Sequence, residues 1–174
     1  MGSSREARSA IVRFYQGEGA DDRGRMLDTI LSWDDRRLEA VHDYIQWLFP
    51  LDEPSRFNPS APLLTAPDRS AFRDPELAAN LRRALDRMLA FYGFTLDLPP
   101  PRIKRSSRWS ERSAVWLHAG NHNLLRLTRI IRSLALLGQT DLSTAVYGAL
   151  RRECEGHVSS VTLEYWKEAT NAEA

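Results

Sequence analysis

The densest group of ligand-binding side chain types in this sequence lies in the segment NHNLLRLTRIIRSLALLG. Amide, imidazole and guanidinium groups donate hydrogen bonds to anions, and arginine suits carboxylate and phosphate groups in particular. Helical spacing would place these groups on one side of a helix, near a start whose backbone N–H groups also favour anions. The candidate ligand-binding residues here are Asn121, His122, Asn123, Arg126 and Arg129.

The same segment also supports a structural interpretation. Leu125 and Leu136 lie opposite its main apolar arc, which predicts a helix that is covered nearly all round. Arg126 and Arg129 would then be partly desolvated, and a buried charge needs a partner. The acidic residues that could supply one are Asp43, Asp52 and Glu53. The sequence leaves open whether these arginines bind a ligand or hold the packing together.

A second set of candidates lies in the segment HDYIQWLFPLDEP and the FNP tripeptide after it. His42 lies at the edge of an apolar helical arc, and Gln46 follows one turn later. Asp43 lies further round the same edge, and Asn58 belongs to the FNP tripeptide. These side chains either brace the following proline-rich loop or face a cleft that holds a ligand.

Several classes of chemistry have no pattern in the chain. His42, His122 and Asp43 do not form HExxH, so we expect no metal site. Cys154 is the single cysteine, and it is expected to be a buried thiol. G-x-S-x-G, GxGxxG and Walker patterns are missing, so the sequence predicts no catalytic residues and no cofactor. A binding module is expected rather than an enzyme.

Charge and hydropathy indicate a cytoplasmic protein that does not bind nucleic acid. The 24 basic and 23 acidic residues leave a net charge of +1, without the basic excess typical of nucleic-acid binders. The basic run Arg102–Arg112 is expected to be a solvated connection, and the alternative is a nucleic-acid contact that includes Trp109. No apolar run approaches the roughly 20 residues of a transmembrane helix, and the start MGSSREARSA lacks the apolar core of a signal peptide.

Apolar periodicity predicts an all-α, compact single domain of seven to nine helices, with no convincing strand. One helix is expected over WDDRRLEAVHDYIQWLF after a Ser32 cap, and another over NHNLLRLTRIIRSLALLG. These two helices should pack on each other, with Ile45 and Ile131 in the core. Thr65 and Asp68 have the spacing of a capping box.

Two connections are longer than usual. The segment PLDEPSRFNPSAPLLTAPD contains five prolines in 19 residues and is expected to form an ordered loop. We expect this proline-rich loop to cover Trp47 through Phe57 or Leu63. The segment Leu96–Ser110 is expected to be an exposed connection.

The motif that begins HDYIQWLFPLDEP, together with NLRRALDRMLAFYGF and NHNLLRLTRIIRSLALLG, resembles the N-terminal conserved domain of the opioid growth factor receptor family. The resemblance suggests an N-terminal helix start in residues 1–13, the conserved domain in 14–153 and a C-terminal helix in 154–174. Animal members are described as receptors for an enkephalin-type growth-inhibiting peptide. They are associated with the nucleus and carry further regions beyond this domain. Because 22 of the 24 basic residues are arginine, as in GC-rich genomes, we expect a bacterial member that consists of the domain alone.

The resemblance therefore implies a binding or interaction module, with peptide reception as the function of the family. The alternative is an uncharacterised enzyme or a binder of small anions, with its site between the two signature helices. Its partner would be a peptide, a protein or an anionic small molecule.

Overall fold

The computed structural model describes residues 8–172, and this part of the chain is mostly helical. It contains ten helices and one two-stranded antiparallel sheet, β1 with β2. In chain order the elements are α1 (Ala10–Tyr15), α2 (Leu27–Leu31), α3 (Asp35–Ala40), α4 (Ile45–Leu48), α5 (Ala66–Ala71), α6 (Pro75–Tyr92), β1 (Phe94–Asp97), β2 (Arg102–Arg105), α7 (Trp109–Trp116), α8 (His122–Leu136), α9 (Thr140–Cys154) and α10 (Ser160–Ala169). The predominance of helix confirms the prediction, but the sheet and the tenth helix do not fit an all-α fold of seven to nine helices.

The chain divides into two compact units, with the boundary between Arg82 and Arg83 inside α6. This division is finer than the single domain expected from chain length. Within the first unit, the predicted capping box is present, because the Thr65 and Asp68 side chains each bond the backbone of the other. The predicted domain limits after residues 13 and 153 stay predictions.

The helix expected over WDDRRLEAVHDYIQWLF is broken into α3 and α4. Val41 is extended (φ −95°, ψ 132°), and the Tyr44 hydroxyl donates to the Leu38 carbonyl at 2.9 Å. The backbone carbonyl of Asp43 lies inside the break. It accepts a hydrogen bond from the Asn58 side chain at 3.1 Å rather than from the backbone N–H of a helix. The cap is Asp34 rather than Ser32, because Asp34 accepts from the Arg37 N–H. Contacts distant in sequence therefore override a helical pattern.

The proline-rich loop between α4 and α5 is held at both ends. Leu51 and Leu64 are buried, and the Leu64 N–H donates to the Leu51 carbonyl at 2.8 Å. However, Phe57 and Leu63 are 72% and 46% exposed, so the prediction that they cover Trp47 is wrong.

The Trp47 ring is covered from elsewhere in the first unit. It packs against Phe14 at 5.4 Å between ring centroids, and its Nε1 donates to Asp22 at 3.1 Å. A partner for the indole N–H, which the loop's apolar side chains could not provide, is therefore part of its environment.

The exposed connection expected over Leu96–Ser110 is in fact β1, β2 and the beginning of α7. Phe94 pairs with Arg105 and Leu96 with Ile103, and Phe94 and Ile103 are buried. The sequence did not reveal the alternating burial of these short strands, because basic residues occupy the exposed positions and three prolines lie between the strands.

The core of the second unit is built on α8, which packs against α9 and α10. Ile131 is fully buried, and its carbonyl accepts from the Ser143 hydroxyl of α9 at 2.9 Å. Trp166 of α10 donates its indole N–H to the Leu124 carbonyl at 3.2 Å. Leu136 is buried as expected, whereas Leu125 is 58% exposed, so α8 is not covered all round.

Some expectations concern the chain ends. The first seven residues, which include the start of the predicted first helix and most of the segment tested for a signal peptide, lie outside the described residues, as do residues 173–174. Within residues 8–172, no helix combines the length and hydropathy needed to span a membrane. A cytoplasmic location and the packing of the two signature helices on each other stay predictions, although Ile45 and Ile131 are both buried.

Replacing Ile131 with Ala should lower the free energy of unfolding by about 2–5 kcal/mol, because it opens a cavity in a fully buried position. Leu125→Ala on the exposed side of the same helix is the control and should change it by less than about 0.5 kcal/mol. Urea unfolding followed by circular dichroism measures both. Equal losses from the two variants would contradict this placement of α8.

Candidate functional site

A buried carboxylate organises the turn before α2. The Asp21 side chain is fully buried and accepts from the Arg23 and Arg25 N–H groups at 2.9 and 2.8 Å. It also accepts from the Arg25 Nε at 2.6 Å. Three charge-assisted hydrogen bonds offset the cost of removing this carboxylate from water.

Arg25 also forms an ion pair with the predicted site residue Asp43. Its Nη1 lies 2.8 Å from Asp43 Oδ1, and Arg23 reaches the other carboxylate oxygen at 3.2 Å. Burial alone would lower the pKa of Arg25, but hydrogen bonds and charge from Asp21 and Asp43 raise it above its ordinary value. The guanidinium also lies over the Trp33 ring, 5.4 Å from its centroid. Asp43 is thus part of an ion-paired network.

Asn58 connects the proline-rich loop to this network. It is buried, and its Nδ2 donates to the Asp43 carbonyl at 3.1 Å. The Ser60 hydroxyl lies 2.9 Å from Asn58 Oδ1 and 3.0 Å from Asp22 Oδ2. The loop is therefore fixed by polar contacts to two segments that are distant in sequence.

His42 and Gln46 differ sharply in exposure. His42 is exposed, while Gln46 is 4% exposed and donates its Nε2 to the His42 carbonyl at 3.4 Å. Among the described residues, the buried Oε1 of Gln46 has no hydrogen-bond donor. An unsatisfied buried acceptor costs about 1–3 kcal/mol.

In the second unit, the structure brings three of the other candidates together at the start of α8. Asn121 caps the helix by accepting from the Asn123 N–H at 2.9 Å. Asn123 is fully buried, and its Oδ1 lies 3.3 Å from the Tyr92 hydroxyl and 3.4 Å from Arg126 Nη1. These polar groups therefore hydrogen-bond to each other within the unit.

The remaining candidates on α8 vary in exposure. His122 is exposed, Arg129 is half-buried and Arg126 is 6% exposed, so partial desolvation of the arginines is confirmed. Two of the carboxylates considered as their partners have cations within the first unit, since Asp43 pairs with Arg25 and Asp52 with Arg69. The ligand-binding role of all nine predicted site residues stays a prediction.

Asp21 and Arg25, on which this network depends, were not among the residues predicted from the sequence. Their four-residue spacing in DDRGR was the available signal, but a pair of opposite charges at that spacing usually lies on an exposed helix face. Here the segment is a turn instead. Within residues 8–172 there is no group of three acidic, histidine or cysteine side chains that could hold a metal ion.

Residues 8–172 are mostly helical, with one two-stranded sheet. The sequence model of the opioid growth factor receptor conserved region matches residues 4–171. The chain therefore belongs to the opioid growth factor receptor family.

Individual relatives agree with this membership. The chain is 40% identical to the rat opioid growth factor receptor over 133 residues, which are 73% of this chain and 23% of the rat protein. It is 34% identical to the mouse opioid growth factor receptor-like protein 1 over 167 residues, which are 89% of this chain and 35% of the mouse protein. The chain thus spans about a quarter to a third of these relatives. No solved structure matches it. Bacterial origin stays a prediction.

Replacing Arg25 with Met should lower the free energy of unfolding by about 2–4 kcal/mol, because buried Asp21 loses its counter-charge but keeps two backbone donors. Arg23→Met is the matched control, since Arg23 also contacts Asp43 but its side chain is 66% exposed. Its effect should stay below about 1 kcal/mol. Similar losses in urea unfolding would show that the Asp21–Arg25 contact does not dominate.

Cys154 should be unreactive in the folded chain. Burial raises the pKa of its thiol to about 12; nearby Glu153 adds to this and Arg105 opposes it. We expect iodoacetamide to alkylate the urea-unfolded chain and to spare the native one near pH 8, since the thiolate is the nucleophile.

The same shift sets a pH dependence of stability. The neutral thiol contributes fully below the unfolded pKa of about 8.5, and this contribution is lost as the pH rises towards the folded value. The stability difference between the natural chain and Cys154→Ala should therefore shrink from pH 8 to pH 10. A constant difference would contradict the raised pKa.

Proposed function

We propose that the chain is a peptide-binding module whose contact surface lies in the first unit, on the proline-rich loop. The observation that carries the proposal is the exposure of Phe57, at 72%, directly before buried Asn58. An aromatic ring held in solvent by an ordered loop is typical of protein and peptide contact surfaces.

The exposed side chains His42 and Phe57 flank one hydrogen bond. His42 precedes Asp43 and Phe57 precedes Asn58, and Asp43 and Asn58 are joined through the 3.1 Å contact. His42 and Phe57 are therefore each one residue away from the same hydrogen bond. This arrangement offers a polar and an apolar contact to the same ligand, as peptide recognition requires.

Rigidity of the loop supports the same function. The Leu51–Leu64 backbone contact, Asn58 and Ser60 fix the loop on both sides of Phe57. Prolines reduce the conformational freedom of the unbound loop. Binding then costs little ordering of the loop, which favours affinity.

Two further points favour a peptide as the ligand. The rat relative is named a receptor for a growth factor. The buried side-chain oxygen of Gln46, whose amide nitrogen bonds the His42 carbonyl, would gain a hydrogen bond if a peptide displaced the chain at His42 and supplied an N–H donor. We include His42, Asp43, Gln46 and Asn58 in the proposed site, with Asp43 and Asn58 in a positioning role. The α8 residues Asn121, His122, Asn123, Arg126 and Arg129 belong to the alternative, a site for a small anion or an enzymatic site.

The test is calorimetric titration of the chain with a synthetic enkephalin-type peptide. Phe57→Ser should weaken binding by roughly 30-fold or more, as the loss of a central aromatic contact does. Tyr165→Ser is the matched control, because Tyr165 is another aromatic residue that is 58% exposed, on α10. It should leave the affinity unchanged.

The proposal fails if the natural chain shows no saturable heat with this peptide, or if the Phe57 and Tyr165 variants behave alike. Arg129→Met tests the alternative site on α8. If this variant loses binding and Phe57→Ser does not, the ligand binds at α8 and not at the proline-rich loop.

A further inference from the structure

An open groove in the second unit is independent of the surface proposed above. It has a volume of about 510 Å³ and lies between β2 and α9. Its lining includes Ile103 of β2 and Ala145, Gly148 and Ala149 of α9. This volume is within the range of small-molecule sites.

Positive charge dominates the lining of this groove. Four cationic residues and one acidic residue, Glu153, line the groove; the cations are Arg102, Lys104, Arg105 and Arg152. Lys104 also pairs with Asp97 outside the groove at 3.0 Å. Even with that carboxylate counted, a formal surplus of two positive charges remains.

Glu153 holds two of the arginines in place rather than neutralising the groove. Its two oxygens lie 2.5 Å from Arg105 Nε and 2.7 Å from Arg152 Nε. Burial would raise the pKa of Glu153, but these two arginines hold it below its ordinary value. Because a guanidinium has five N–H donors, occupation of Nε leaves donors at its outer end.

Arg152 and Arg105 are fixed by further contacts. Arg152 Nη2 donates to the Ile103 carbonyl at 3.0 Å, and Arg105 lies 4.7 Å over the Trp109 ring. Such pre-oriented arginines lose little side-chain entropy when they bind an anion.

Gly148 keeps the groove open. It lies in the middle of α9, where glycine is unfavourable relative to alanine, and its backbone angles do not require glycine. A Cβ added there would have no neighbour within 4 Å. A larger side chain at this position would project into the groove without removing a charge.

We propose that this groove between β2 and α9 binds a phosphate-bearing small molecule with at least two negative charges. A ligand with a single carboxylate would leave part of the surplus of two or more positive charges unneutralised. Arginine also matches the geometry of phosphate oxygens. The half-buried Ala145 and the open space at Gly148 leave room for the organic part of the ligand. A nucleotide or a lipid headgroup could supply this phosphate chemistry.

The experiment titrates the full chain with inorganic pyrophosphate at low ionic strength and follows the heat of binding. Arg102→Gln should weaken binding about tenfold or more through loss of a charge-assisted contact. Arg151→Gln is its control, since Arg151 is an exposed arginine on α9, next to the groove residue Arg152, but does not line the groove. Gly148→Leu should weaken binding similarly by filling the groove, whereas Gly148→Ala should bind as the natural chain does.

Further arms identify the source and the specificity. ADP binding tighter than pyrophosphate indicates a nucleotide-like ligand. Co-sedimentation with phosphatidylcholine vesicles containing phosphatidic acid, lost in Arg102→Gln, indicates a lipid headgroup. Circular dichroism confirms that each variant is folded, and Arg102→Gln decides the question if Gly148→Leu does not fold.

Three results would overturn the proposal. The first is no saturable binding of pyrophosphate, ADP or the vesicles by the natural chain. The second is equal weakening by Arg102→Gln and Arg151→Gln, which indicates nonspecific attraction. The third is succinate binding as tightly as pyrophosphate, which removes the preference for phosphate. None of these results depends on peptide binding by the first unit.

Discussion

The first unit depends on the contact between the buried Asp21 carboxylate and Arg25. A charge without access to water is stable only with a counter-charge and hydrogen bonds, and Asp21 obtains both from the turn that follows it. Arg25 then holds Asp43, and the Asp43 carbonyl holds Asn58. The turn before α2, the break between α3 and α4 and the proline-rich loop are therefore tied together by one chain of polar contacts.

This constraint explains why apolar packing alone does not describe the loop. Leu51 and Leu64 anchor its ends by burial, but polar contacts of Asn58 and Ser60 fix its middle. Phe57 is consequently not needed for the core and is exposed. A side chain that the core does not need is available for recognition.

The second unit uses charge differently. Its core around α8 is apolar, with buried polar groups such as Asn123 and Ser143 satisfied within the unit. At β2 and α9, by contrast, Glu153 orients two arginines and leaves a cationic excess next to open space. Here the ion pairs of Glu153 orient the arginines along one side of the groove and leave the groove open.

Local sequence alone determined the helix α8, the capping box at Thr65 and the burial of Ile131, since these depend on neighbours three or four residues apart. The motifs also determined the family. The hairpin, the break after Ala40 and the exposure of Phe57 were decided by tertiary structure. In each case a partner distant in sequence outweighed the local preference: Asn58 takes the Asp43 carbonyl, and the phenyl ring of Phe14 covers Trp47. Spacing along one segment carries no information about such partners, because only the folded chain brings them within contact distance.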